Sequence, residues 1–207
     1  MSVLTNWGYT IKGTDSLEAL SSSSDFDIMT ANKYAGDWRT ESEISAASAV
    51  IRDYCGWHVY PSLTCEMATS FFDRRINRNG STVFMQLPAK FVSAITSVKI
   101  NEVDYTTYVF DTNGLLKVYG VDAWLPEWAP VVVEYIAGLS ESMAGGLKEV
   151  VKNRVVHTLT STEGIQSETT GGVSITYSTS WVNSARATSL ADDNKETLAP
   201  YRLQGVF

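Results

Sequence analysis

The chain is short of positive charge. Sixteen lysines and arginines face twenty-three aspartates and glutamates, a formal net charge of −7 over 207 residues. Gripping nucleic acid rests on cationic neutralisation of phosphates, so that class of function is disfavoured. Cysteine is scarce too. Cys55 and Cys65 are the only two, too few for a disulfide scaffold. Both are expected to be free, buried thiols of a protein folded in a reducing cytoplasm, with a bridge between them the less favoured alternative. No run approaches the roughly 20 apolar residues that span a bilayer. The start lacks a basic stretch followed by an apolar one, so neither a membrane segment nor a secretory signal is expected.

Catalytic residue types are equally thin. The two histidines, His58 and His157, have no Ser/His/Asp or Cys/His companions close in sequence. His58 sits between Trp57 and Val59 and reads as a packed turn residue. His157 falls at the margin of a helix face. The segment GGVSI is not a nucleophile elbow, which needs Gly-x-Ser-x-Gly. Neither a Gly-x-x-x-x-Gly-Lys phosphate loop nor a His-Glu-x-x-His is present. Asp192-Asp193-Asn194 lacks the spaced ligands and glycine of a calcium loop, and suits a helix N-terminus instead. The expectation is a protein that is not an enzyme and uses no cofactor or metal.

What is present is an ordinary core-forming composition, 44% hydrophobic and 19% charged, enough for one large domain or two small ones. The most legible stretch runs from Gly146 to Ser178. Leu147, Val150, Val151, Val155 and Thr158 share one face of a helix, with Lys148, Glu149, Lys152 and Asn153 largely opposite. Gly164 stops that helix. Two extended arms follow, 165–169 and 173–178, joined through Gly171-Gly172, a hairpin signal. Val173, Ile175 and Tyr177 alternate there with Ser174, Thr176 and Ser178.

The fold class is therefore α+β. A small helical frame, with helices near 40–55, 142–160 and 190–198, carries an inserted antiparallel β-domain at 62–138 and the late hairpin. Thr40 fits an N-cap with Glu43 at N3 of a capping box, and Ile44, Ala47, Ile51, Tyr54 and Cys55 line one helix face. Strand alternation begins at Cys65, Met67 and Thr69 and recurs at Val83–Met85–Leu87, 98–100, 108–110, 115–118 and 131–136. The turns at Asn79-Gly80, Asn101-Glu102 and Asn113-Gly114 complete a meander of about six strands, a small sandwich or barrel. Residues 119–130 form a loop rich in aromatics. Residues 1–39 read as an N-terminal arm that orders by lying on its own domain or on a neighbour. The frame proper is 40–61 and 139–207, including the C-terminal tail.

Four pieces carry a resemblance. They are Gly-Ile-x-Ser-Glu-x-x-Gly-Gly-x-Ser-Ile-x-Tyr-Ser at 164–178, AASAVIRDYCGWHVYP at 46–61, VVEYIAGL at 132–139, and an Ala-Pro-Tyr-Arg end at 199–202. Together they resemble the head–tail connector (adaptor) proteins of tailed bacteriophages, and the resemblance covers the inserted β-domain only loosely. It implies a structural virion neck protein assembled in the host cytoplasm. It further implies a homo-oligomeric ring, a dodecamer in the pattern of the family, that docks on the portal protein and meets the next neck or tail protein. DNA would pass through without specific binding, and no membrane is involved. Acidic walls suit that role, because they repel a DNA backbone within a Debye length of about 8 Å at physiological salt. The alternatives are another head- or tail-completion protein, or a surface- or carbohydrate-binding module working through the β-domain.

The expected portal or subunit contacts are Arg154, Ser167, Glu168, Gly171, Gly172, Tyr177, Tyr201, Arg202, Leu203 and Phe207. Arg154 projects from an apolar helix stripe; it either meets a second subunit or lays its stem along the core edge. Glu168 either caps a backbone group locally or pairs with Arg154 or Arg202 of a neighbour, since a heterologous ring needs two complementary patches. The bulky tail from Tyr201 either docks on a partner or folds back on its own core. Arg74, Arg75 and Arg78 form the one basic cluster. It is either a solvated hairpin tip or a contact to DNA in the channel or to an acidic partner.

Overall fold

The computed structural model describes residues 2–25, 38–160, 167–170, 173–176, 190 and 192–203. The fold is α+β, with three helices of seven or more residues and two larger antiparallel sheets among these residues. The strands are β1 (Ser2–Leu4), β2 (Thr10–Lys12), β3 (Leu63–Ser70), β4 (Ile76–Asn79), β5 (Thr82–Gln86), β6 (Val92–Ile100), β7 (Val103–Asp104), β8 (Tyr108–Phe110), β9 (Leu115–Tyr119), β10 (Pro130–Ala137), β11 (Ser167–Thr170) and β12 (Val173–Thr176). The helices are α1 (Trp38–Cys55), α2 (Gly145–Thr160) and α3 (Asp192–Leu198).

The chain divides into two compact units. The first holds residues 1–18, 55–144 and 201–207, and therefore both larger sheets. Its six-stranded sheet runs β1-β2-β3-β10-β6-β7 and its four-stranded sheet β4-β5-β9-β8. Strand β10 sits inside the larger sheet because both its edges are paired. It matches β3 residue for residue from Pro130↔Ser70 to Ala137↔Leu63. Against β6 it slips register after Glu134 and again after Ile136. Val131, Val133, Tyr135 and Ala137 are all fully buried, and the residues between them are only partly so, the period of two that a sheet with one packed face demands. Cys65 and Met67 on β3, and Val83, Met85, Leu116 and Val118 in the smaller sheet, follow the same rule.

Residues 2–12 settle one open alternative: they lie on their own chain, adding β1 and β2 to the sheet edge. Three-residue strands are too short to show an alternation, which is why sequence alone leaves this stretch unassigned. Lys12 then earns its position. Glu66 and Glu134 stand directly opposite each other on β3 and β10, a like-charge pair that opposes pairing. The Lys12 ammonium lies 2.7 Å from Glu66 and 2.9 Å from Glu134. Its hydrogen bonds to Glu66 and Glu134 hold its pKa above the usual lysine value.

Turn chemistry agrees with the turns named from sequence. Asn101 and Glu102 both take left-handed φ, +51° and +67°, as a two-residue type I′ hairpin between β6 and β7 requires. Cys55 and Cys65 are buried free thiols, and burial pushes each to about 12.

The second unit holds residues 19–54 and 145–200. Ile44, Ala47 and Ile51 of α1 and Leu147, Val150, Val151 and Val155 of α2 are buried, together with Leu20, Leu190 and Leu198. Ser48 ties the segment before α1 to the helix: its hydroxyl donates to the Ile44 carbonyl (2.7 Å) and accepts from the Leu20 N–H (2.9 Å). Lys148 pairs with Asp25 at 3.2 Å.

Two helix boundaries differ from expectation. Helix α1 starts at Trp38, so Thr40 is its third residue rather than its cap, and Thr40 is buried. A capping box is a local signal, and here helical backbone continues two residues past it. The helix expected from 142 instead opens with a 3₁₀ turn, Glu141–Met143, before α2 begins at Gly145.

Candidate interaction surface

Three of the four family-like pieces come together in the sheet-bearing unit. Residues 57–61, the end of the 46–61 piece, meet 137–139, the end of the 132–139 piece. His58 is fully buried. Its Nε2 lies 2.9 Å from the Ala137 carbonyl oxygen and its Nδ1 lies 2.8 Å from Tyr9 Oη. A carbonyl only accepts, so Nε2 carries the proton, and Nδ1 accepts from the tyrosine hydroxyl. Tyr9 Oη accepts in turn from the His58 backbone N–H at 3.0 Å. Both ring nitrogens are spent on structure. Leu139 N–H donates to the Val59 carbonyl (2.8 Å), which helps to hold Val59 at φ +63°, costly for a β-branched residue.

The C-terminal piece joins the same knot. Trp57 is fully buried, and its indole N–H donates to the Tyr201 carbonyl at 2.7 Å. Leu203 N–H donates to the Cys55 carbonyl at 2.9 Å. The ring of Phe91 stacks on Trp57 and tilts against Tyr201, with centroids at 6.2 Å and 5.9 Å. Of the two alternatives for the tail, 201–203 follow the second: they fold back on the sheet-bearing unit. Arg202 is exposed there. Phe207 lies outside the described residues.

The basic cluster is not one surface. Arg74 is exposed, whereas Arg75 is paired with Asp73, its Nε donating at 3.0 Å and 3.1 Å to the two carboxylate oxygens. Arg78 donates to the carbonyls of Asp122 (2.6 Å) and Leu125 (3.1 Å) and lies over the Phe71 ring. The β4–β5 turn falls at Gly80-Ser81, so Arg74 and Arg75 sit at the far end of β4 from the hairpin tip. Arg75 is thus engaged by a carboxylate two residues away, and Arg78 by loop carbonyls more than forty residues downstream.

Hydrogen bonds from the Arg75 side chain hold the Asp73 carboxyl down to about 2, against 3.8 ordinarily. Burial opposes that shift, and the Arg75 backbone N–H and Thr69 hydroxyl assist it. A depressed carboxyl contributes stability that is present above its unfolded pKa and lost as pH falls through its folded one. The difference is worth about 2 kcal/mol. Between about pH 4 and pH 2 the wild type should lose that amount relative to Asp73→Asn, measured as unfolding free energy in denaturant.

Arg154, on α2, is half-buried; burial pulls its pKa down while the Glu43 carboxylate raises it. Ser167 and Glu168 lie on β11, whose backbone pairs antiparallel with β12 in the register Ser167↔Thr176 and Glu168↔Ile175. Gly171, Gly172 and Tyr177 lie outside the described residues. Among the described residues no three His, Cys, Asp or Glu side chains gather as metal ligands do, and no helix is long and apolar enough to cross a membrane.

The aromatic loop at 119–130 is also what suggests, from sequence, the surface- or carbohydrate-binding alternative. In the fold Trp124 is 91% exposed and Trp128 69%, yet the loop backbone is held at several points. Asp122 Oδ1 accepts from the Trp124 N–H (2.9 Å), Ala129 N–H reaches the Pro126 carbonyl (2.9 Å) and Val121 N–H the Ser81 carbonyl (2.9 Å). The clue was Arg78, whose purpose appears only when β4 and the loop are side by side. Compared with protein-family models and with curated proteins, the chain matches none.

Proposed function

We propose that this protein is a structural neck component of a tailed phage, a ring-forming connector that docks on the portal, extends the DNA channel and joins head to tail. The observation that carries the reading is the meeting of three family-like pieces. The Trp57–Pro61 corner, the 137–139 strand end and the Tyr201–Leu203 tail are far apart in sequence and bonded to one another in space. The remaining piece, 164–178, holds the antiparallel strands β11 and β12, which follow α2 in the chain. Such a protein works by binding and geometry, without turnover.

Native mass spectrometry of the purified chain, alone and mixed with the portal protein of the same phage, tests this. A closed ring, or a ring that appears only with portal, is expected. A monomer that stays a monomer when portal is added would remove the neck assignment and favour the surface-binding or tail-side alternatives.

A further inference from the structure

We infer that the 121–130 loop of one copy docks on the outer face of the four-stranded sheet of a second copy. The loop is a preformed anchor. Trp124 and Trp128 stand in water at 91% and 69% exposure on a backbone that Arg78, Asp122 and the Pro126 turn already hold. Rigid exposed tryptophans are the side chains that concentrate binding energy, since little ordering entropy remains to be lost. The charges beside them, Asp122 and Glu127, are both negative, and no lysine or arginine occurs from 118 to 147.

The outer sheet face offers the complement. Phe84, Lys117 and Val109 form one cross-strand row through the pairs Phe84↔Lys117 and Val109↔Lys117, with Leu115 and Tyr119 on the same face by the period of two. Val109 is 54% and Leu115 44% exposed. The Lys117 ammonium lies 5.1 Å from the Phe84 centroid and 4.8 Å from that of Tyr119, a cation fixed among apolar groups. Tryptophan is the best aromatic partner of such a cation, and the loop carboxylates carry the opposite charge.

Two other occupants fit the loop less well. An anionic membrane surface would be repelled by Asp122 and Glu127. A sugar needs hydroxyl partners beside the rings, but Asp122 Oδ1 is committed to the Trp124 N–H and Arg78 to loop carbonyls.

Because the two patches differ, the contact is heterologous, and each copy carries one of each. Sedimentation velocity of the full chain should show concentration-dependent association. Trp124→Ala/Trp128→Ala and Lys117→Glu should each abolish it, with circular dichroism reporting intact folding. Mixing the two variants should restore a dimer and nothing larger, because each supplies only the patch that the other lacks. A wild type that stays monomeric at every concentration overturns the inference, as does a variant that still associates alone or a mixture that stays monomeric. A monomeric wild type whose tryptophan fluorescence shifts on titration with maltoheptaose would assign the loop to a sugar. The contact does not depend on the neck assignment: a chain that associates in this way yet ignores portal keeps the contact and loses the assignment.

Discussion

Gly138→Ala should destabilise the protein by about 4 kcal/mol, a large fraction of the roughly 5–15 kcal/mol that a domain of ordinary stability holds. Gly138 sits where β10 ends, at φ +127°, a backbone region that residues with a Cβ rarely adopt. A Cβ built there would lie 2.4 Å from the Pro61 carbonyl oxygen and 2.7 Å from Ser62 Cα. Both neighbours are backbone, so neither can swing aside. The strained backbone costs about 1–3 kcal/mol and the forced overlap a similar amount. Gly145→Ala is the control. Nothing lies within 4 Å of its Cβ position, and alanine at the start of α2 should change stability by less than about 1 kcal/mol. Equilibrium unfolding in urea, followed by circular dichroism, separates the two. Equal, small losses would mean that the backbone at Pro61 and Ser62 gives way to the added methyl group.

Trp57→Ala should cost about 3–5 kcal/mol, the range for emptying a large aromatic site in a packed core. The indole touches Phe91 and His58 by its rings, with centroids at 6.2 Å and 5.3 Å, and holds the tail through Tyr201. Trp57→Phe divides these roles. It keeps an aromatic ring but deletes the N–H donor and part of the indole volume, so it should cost about 1–3 kcal/mol, less than alanine. Limited proteolysis should then cut the C-terminal tail of Trp57→Phe faster than that of the wild type. If the tail were cut no faster, the Leu203–Cys55 bond and the Phe91–Tyr201 contact would suffice to hold it.

Legibility was uneven along the chain, for identifiable reasons. Residues 98–100, 115–118 and 131–136 announce themselves as strands because each strand buries one face, and burial writes itself into the sequence at a period of two. Helix α2 was equally plain, with Leu147, Val150, Val151 and Val155 all facing inward. Residues 2–4 and 10–12 were opaque. Their pairing energy comes from β3, more than fifty residues downstream, and three residues carry no pattern. Arg78 shows the same effect, since its carbonyl partners lie more than forty residues downstream, whereas Arg75 finds Asp73 only two residues away. A run of arginines looks solvent-facing until Asp73 turns back on one and the 122–125 carbonyls arrive over the other.

The sequence by itself determined the α+β class, the periods of the long elements, the glycine and asparagine turns, and the scarcity of groups for chemistry. These are local properties, set by dihedral preference and by which side of an element must avoid water. Only the tertiary structure decided that the N-terminus completes a sheet, that His58 is a bonded core residue, and that the tail is tied to Trp57 while Trp124 stands free in solvent. Those outcomes depend on groups that meet across fifty to a hundred and fifty residues of chain. No local preference encodes such meetings; they follow from which buried donors and acceptors the packed core leaves to be satisfied.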